Sequence, residues 1–249
     1  KLESWISNEK YSGYDLYDGL NSPYFTNLPN SKYIRLPLIR LSVDSPINFR
    51  PLLKIRPTIG NKSLSLISRA YFKHYNITKD LKSLDKGRKI LARLLKSSLI
   101  NKHGQHSWHA HSYGFQLKSI YYSKDSKPCM VGNIFPLLTL LEEYEINTDN
   151  PEMRLKIIEN ATAYIIENLL TDYKGTIFFR YRNETALNEI NHNVNALGAS
   201  VLSKLYSITN REKYKRIAIQ CINTLLEYQN PNGSWHYTDI IEKGPLSKQ

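Results

Sequence analysis

Four of the seven histidines in the 249-residue chain, His103, His106, His109 and His111, fall in one short stretch that also holds Trp108, Tyr113, Gln116 and Lys118. Imidazole exchanges a proton near neutrality, with an unperturbed pKa of about 6.5. His111 is therefore a candidate base, and Tyr113 becomes a candidate acid if Lys118 lowers its pKa. The His109-x-His111 pair would share one face of an extended segment, which is metal-ligand spacing. No carboxylate lies close enough in sequence to complete such a site, so no metal is assigned. Plain hydrogen-bonding histidines and direct contact with a sugar are the other readings of the cluster.

Three further groups have side chains suited to a sugar. Arg180-Tyr181-Arg182, read as strand-like, presents two guanidinium forks that match carboxylate or phosphate in two-bonded geometry, if they are more than solvated charges. Asn191, His192, Asn193 and Asn195 stand at the start of a helix, where free N–H groups and amide side chains suit hydroxyls, although ordinary capping accounts for at least one of them. Tyr14, Asp15, Tyr17 and Asp18 combine paired acids with rings that stack on sugars, or else form a turn around Asp18-Gly19. Trp108, Trp235 and Tyr237 are either stacking platforms or wedges between helices. Epimerisation or elimination at a uronate needs a base, an acid and a cation to hold the carboxylate. His111, Tyr113 and His192 are the candidate proton carriers, and Arg180 or Arg182 the cation. Tyr14, Asp15, Asp18, Trp108, Gln116, Lys118, Asn191, Asn195, Trp235 and Tyr237 complete the candidate binding set.

The elements that must position these residues are mostly helices. Prolines at 23, 29, 37, 46, 51 and 57 argue against long helices in residues 1–61, which read as an irregular arm around a helical body. Residues 62–249 then show apolar residues at helical spacing in three successive pairs: 64–74 with 84–99, 132–144 with 151–170, and 193–206 with 211–228. Asn150-Pro151-Glu152 predicts a capped helix start, and Thr209-Asn210-Arg211-Glu212 spells a capping box. Each second helix is followed by a glycine and then aromatics: Gly104 before Trp108 and Tyr113, Gly175 before Phe178 and Tyr181, Gly233 before Trp235 and Tyr237. A single hairpin cannot bury its own apolar face, so such repeats stack into an open solenoid or a closed ring. The fold class expected is all-α, an incomplete α/α toroid of helical hairpins with an irregular N-terminal arm.

Charge and cysteines narrow the setting. A formal net charge of +12 suits an anionic partner, but the basic residues are dispersed and no nucleic-acid recognition motif accompanies them. Cys129 and Cys221 are too far apart for a Cys-x-x-Cys site, and two buried thiols fit a reducing, cytoplasmic setting. No apolar run reaches the roughly 18 residues needed to span a bilayer. The first residue is Lys1 and residues 245–249 form no obvious terminal element, so the chain reads as a fragment.

The phrase Tyr228-Gln229-Asn230-Pro231-Asn232-Gly233-Ser234-Trp235 resembles the Gln…Gly-Ser-Trp turn of terpenoid-cyclase-like and related α/α toroids. With Tyr11-Ser12-Gly13-Tyr14-Asp15-Leu16-Tyr17-Asp18-Gly19-Leu20-Asn21-Ser22-Pro23 and His192-Asn193-Val194-Asn195-Ala196-Leu197-Gly198-Ala199, it is similar to a family of prokaryotic polysaccharide-biosynthesis proteins, distantly like the toroid domain of glucuronyl epimerases. The resemblance implies a carbohydrate role and a ring completed by hairpins beyond Gln249. It brings no settled catalytic set and no cofactor. Squalene-type cyclisation is disfavoured because the chain has no Asp-x-Asp-Asp acid, and the cysteines do not match the zinc sites of prenyltransferases or lanthionine cyclases. The expectation is a protein of polysaccharide biosynthesis or modification that binds an anionic saccharide, as an epimerase- or lyase-like enzyme or as a non-catalytic glycan-binding scaffold. Oligomeric state is left open.

Overall fold

The computed structural model describes residues 1–14, 18–25, 27–29, 31–109, 113–116, 119–122, 128–146, 149–183 and 185–241, without the side chains of 32, 113–116 and 119–122. Its helices are α1 (Leu2–Asn8), α2 (Lys32–Asp44), α3 (Asn61–Thr78), α4 (Leu81–Lys96), α5 (Met130–Ile146), α6 (Pro151–Leu169), α7 (His192–Thr209) and α8 (Glu212–Glu227). Short strands pair as antiparallel two-stranded ribbons: β1 (Leu99–Ile100) with β2 (His106–Ser107), β3 (Tyr113–Gln116) with β4 (Ser119–Tyr122), β5 (Leu170–Tyr173) with β6 (Thr176–Phe179), and β7 (Glu189–Asn191) with β8 (Thr238–Ile240). The chain forms two compact units, one of Lys1–Leu64 with Ala110–Ser126, the other of Ser65–His109 with Lys127–Gln249.

The first unit corrects the expectation that prolines keep its segment irregular, since α2 runs for 13 residues with Pro37 inside it. Pro37 stands on the exposed side, where water can take the carbonyl its missing N–H would have met. A 3₁₀ turn, Asp18–Asn21, lies so close to α2 that a Cβ on Gly19 would sit 2.6 Å from Leu38 O. Leu20 and Ile39 are buried together there. The buried Asp18 carboxylate takes Arg50 Nε at 2.8 and 3.0 Å.

The second unit is built from the predicted pairs. In α4 the Asp80 carboxylate caps Lys82 N and Ser83 N, and Ser83, Leu84, Gly87, Ile90, Leu91 and Leu94 form its buried face. The stripe of α6 (Ile158, Ala161, Thr162, Ile165, Leu169) and that of α8 (Tyr214, Ile217, Ala218, Cys221, Thr224, Leu225) follow the same spacing. Pro151 opens α6 as expected, although the Asn150 side chain makes no capping bond. The capping box before α8 does not form: Thr209 Oγ1 turns back to Leu205 O. Apolar on nearly all sides, α5 is the central helix, packed against α4, α6 and α7, while α7 lies along α8.

Charges fasten the C-terminal half of α5 to its neighbours. Glu142 meets Arg69 of α3 at 2.7 Å. Glu143, 1% exposed, lies 2.6 Å from Arg154 Nε of α6 and 3.5 Å from Arg88 Nε of α4.

Candidate functional site

The links that follow the hairpins carry the polar residues, and an asparagine fixes the first two of them. Between β5 and β6 the two-residue turn Lys174-Gly175 has φ of +52° and +83°, the left-handed pair that suits a tight hairpin and that glycine adopts without strain. The strand delivers Phe178 and Phe179 to the core, both fully buried. Asn195, fourth residue of α7, then accepts from Phe179 N at 2.7 Å and donates to Phe179 O at 3.0 Å and Asn191 O at 2.9 Å. The preceding repeat makes two of these three bonds. Asn133, fourth residue of α5, accepts from Trp108 N at 3.2 Å and donates to Cys129 O at 2.7 Å. Gly104, like Gly175, has a positive φ of 73° and stands four residues before the clasped aromatic.

At the head of α7 the geometry becomes chemical. Antiparallel pairing of β7 with β8 sets Asn191 opposite Thr238 and Ile190 opposite Asp239. Asp239 thereby reaches the first residue of α7, and His192 Nε2 stands 2.7 Å from Asp239 Oδ2. The Tyr228 ring packs over the imidazole at 5.8 Å between centroids. Burial and the nearby Glu227 and Asp239 charges raise the Tyr228 pKa, so it stays a phenol at neutral pH. A neutral His192 facing a carboxylate through Nε2 carries its proton there, which leaves Nδ1 as a lone-pair acceptor. His192 is 5% exposed, and its Nδ1 has no hydrogen-bond partner; neither has Oδ1 of Asn191, 3% exposed. The arrangement resembles the carboxylate–imidazole pair of acid–base catalysis, in which the carboxylate fixes the ring and stabilises its charged form. Two buried acceptors in adjacent residues suit donors such as hydroxyl groups. Among the described residues, no three His, Cys, Asp or Glu side chains converge as a metal site would require.

No protein-family model matches the sequence, and no curated protein matches it. Solved structures do. An α-mannanase from Bacteroides thetaiotaomicron is 16% identical over 71% of this chain and 48% of its own, with a TM-score of 0.53. Cellobiose 2-epimerase from Bacillus thermoamylovorans is 11% identical over 90% and 62%, with a TM-score of 0.56. An inactive variant of an α-1,6-mannanase from a Salegentibacter species, solved with α-1,6-mannotetrose, is 14% identical over 88% and 60%, with a TM-score of 0.53. What they share with this chain is the α/α toroid fold. The chain spans 48% to 62% of the lengths of these three.

Within the toroid segment, the predicted residues separate into groups. Asn191 and His192 fall together at the head of α7. Asn195 is next to them but completely buried, with its amide used by the clasp. Arg180 and Arg182 lie on a bend after β6, not on one face of a strand. That bend docks on the head of the neighbouring α5, where Met130 N donates to Tyr181 O at 2.9 Å. The Arg182 charge reaches Cys129 there, where burial, the larger effect, pushes the thiol pKa up. One Arg180 Nη is occupied by Asn183 O at 2.7 Å, and Arg182 lies against the Tyr181 ring.

Trp108 is a wedge and not a platform: it is 0% exposed, and its indole donates to Leu94 O at 2.9 Å. Trp235 donates to Leu225 O at 2.8 Å and keeps 43% exposure, while Tyr237 keeps 65%. In the first unit Asp18 is held by Arg50, which also lies over the Tyr14 ring. Asp15, His111 and Lys118 lie outside the described residues, as do the side chains of Tyr113 and Gln116. His106 bonds Ser98 Oγ through Nδ1, and burial lowers its pKa. Asp239 and Tyr228 were not singled out as site residues from the sequence. The signal for Asp239 is its place just after the third glycine phrase.

Proposed function

We propose that the chain belongs to a carbohydrate-processing protein of polysaccharide biosynthesis or modification and that His192, set by Asp239, is its proton-transfer group. The observation that carries the reading is the buried His192–Asp239 pair with Nδ1 unpartnered at the head of a toroid helix. Sugar hydroxyls supply the donors that Nδ1 and Asn191 Oδ1 lack. Arg180 and Arg182, at the head of the adjacent helix, together with the +12 net charge, favour a saccharide bearing carboxylate or phosphate. For epimerisation or elimination at a uronate, His192 Nδ1 takes the proton beside the carboxylate, and Tyr228, kept protonated and packed against the imidazole, is the candidate donor. The solved neighbours named for mannan hydrolysis and for cellobiose epimerisation support carbohydrate as the substrate class. A reducing, cytoplasmic location fits the two free buried cysteines; among the described residues no helix is long and apolar enough to cross a membrane.

The burial of His192 favours a second reading, a non-catalytic glycan-binding scaffold in which the pair only shapes a binding surface. Titration with uronate and neutral oligosaccharides, read by calorimetry and by deuterium uptake at the sugar carbon, separates the two. The enzyme reading expects His192→Ala and Asp239→Asn to abolish uptake while binding persists, with Arg180→Ala weakening acidic ligands selectively. Binding without uptake in the wild-type chain supports the scaffold. If no saccharide binds at all, both readings fail.

A further inference from the structure

Positive charge is concentrated in one part of the second unit. Residues 65–104, which hold most of α3 and all of α4, carry ten lysines and arginines against Asp80 and Asp85, a net +8, while the rest of that unit nets −1. Arg69 and Arg88 turn to Glu142 and Glu143 of α5. The other eight bases are all exposed. Five of them, Lys82, Lys86, Lys89, Arg93 and Lys96, recur at steps of four and three. What looks dispersed in sequence therefore falls on one strip of α4 about 21 Å long, away from its buried face. Asp85 is the acid beside the strip, 2.6 Å from Lys89. Like charges at this spacing repel and weaken a helix, so the strip works against folding unless an anionic partner meets it.

Three features narrow the class of partner. Seven of the eight exposed bases are lysine, a hydrated point charge without the two-bonded fork that arginine offers, which suits a diffuse anionic surface more than one fixed group. The α3 rings that could stack on bases or sugars are taken: Tyr71 and Tyr75 lie under the Lys86 and Lys79 ammonium groups at 5.7 and 5.5 Å, and Phe72 is buried. At the N-terminal end of the strip, Ile77 and Leu81 are 84% and 70% exposed, with Lys79 and Lys82 next to them in the chain. Bare aliphatic side chains among lysines are the means by which a protein enters a membrane interface.

We propose that the basic strip of α4, with Ile77 and Leu81 at its end, docks on an anionic lipid surface. The bases are drawn to the headgroups, and the two aliphatic side chains enter the boundary with the acyl chains. Docking of this kind uses none of the residues assigned to a saccharide, so either can fail without the other.

The test sediments the full chain with phosphatidylcholine vesicles, with and without about one-third phosphatidylserine, at low salt and at about 0.5 M salt. Binding is expected only to the anionic vesicles and should fade at the higher salt. Each base near such a surface strengthens binding about fivefold, so Lys86→Gln, Arg93→Gln and Lys96→Gln together should weaken it about a hundredfold. The same change in net charge at Lys156, Lys213 and Lys215, exposed on α6 and α8, should have little effect. Ile77→Ser with Leu81→Ser should weaken binding about tenfold. All these positions are exposed, and the melting temperature checks that each variant is folded. No binding to anionic vesicles, equal loss from the two triple variants, or unchanged binding after the two serine substitutions would each overturn the proposal. Tighter binding of duplex DNA or a soluble polyuronate than of vesicles, lost in the α4 triple variant, would assign the strip to that polyanion and overturn it as well.

Discussion

Replacing Asn195 by aspartate is the sharpest test of whether this residue serves the fold or a ligand. Its amide accepts one bond and donates two, at 2.7, 3.0 and 2.9 Å, with no exposed surface. Alanine orphans Phe179 N, which costs about 1–3 kcal/mol, and removes two further bonds worth about 1 kcal/mol each. The expected loss is about 3–5 kcal/mol, a fall in Tm on the order of 10 °C, and it should not depend on pH. Aspartate keeps the shape but sets a carboxylate against two carbonyl oxygens. Its folded pKa must therefore rise above the unfolded value of about 3.9. Below that pH both states carry the proton, the carboxyl can donate to one carbonyl, and the deficit is smallest. As pH rises the unfolded chain ionises while the folded one does not, so the deficit widens by about 1.4 kcal/mol per pH unit until the raised pKa is reached. Urea unfolding of wild type, Asn195→Ala and Asn195→Asp at pH 4.5 and 7.5 should show aspartate better than alanine at the lower pH and worse at the higher. An aspartate variant as stable as wild type at pH 7.5 would refute the clasp and return Asn195 to the candidate binding set.

Glu143→Gln should cost about 2–3 kcal/mol by thermal melting, because Arg154 loses its partner in a mostly buried setting while the more exposed Arg88 contributes little. Burial raises the Cys221 thiol from 9.0 to about 12. Above pH 9 the unfolded thiol ionises first, so stability should fall with rising pH, by up to about 4 kcal/mol at pH 12, and Cys221→Ala should flatten that slope between pH 9 and 11. Gly198→Ala should destabilise by about 1–3 kcal/mol in chemical unfolding, since the new Cβ would lie 2.7 Å from the Phe179 ring and 2.8 Å from Met130 Cε.

The hairpins were legible because apolar residues at three-and-four spacing leave few alternatives, and the glycine turns because their positive φ is a local demand. α2 was not, since proline statistics cannot tell that Pro37 would face water. The aromatic phrase was found, but its register was not. Trp108 and Phe178 catch the eye, whereas the clasped residues are Trp108 and Phe179, fixed by hydrogen bonds that leave no mark on residue type. His192 was named from its asparagine-rich surroundings. Its partner Asp239 lies 47 residues away and becomes visible only when β7 pairs with β8. Glu143 carried a faint signal, an acid inside an apolar run, which a helix-periodicity reading treats as surface.

The two ends of α5 hold it by different means. About ten residues, or roughly 15 Å, separate the amide clasp at Asn133 from the carboxylates at Glu142 and Glu143. Rearrangement of the links between hairpins therefore acts on one end of a rod whose other end is riveted to three neighbours. A lineage could lengthen or rewrite those links without loosening the frame that holds them.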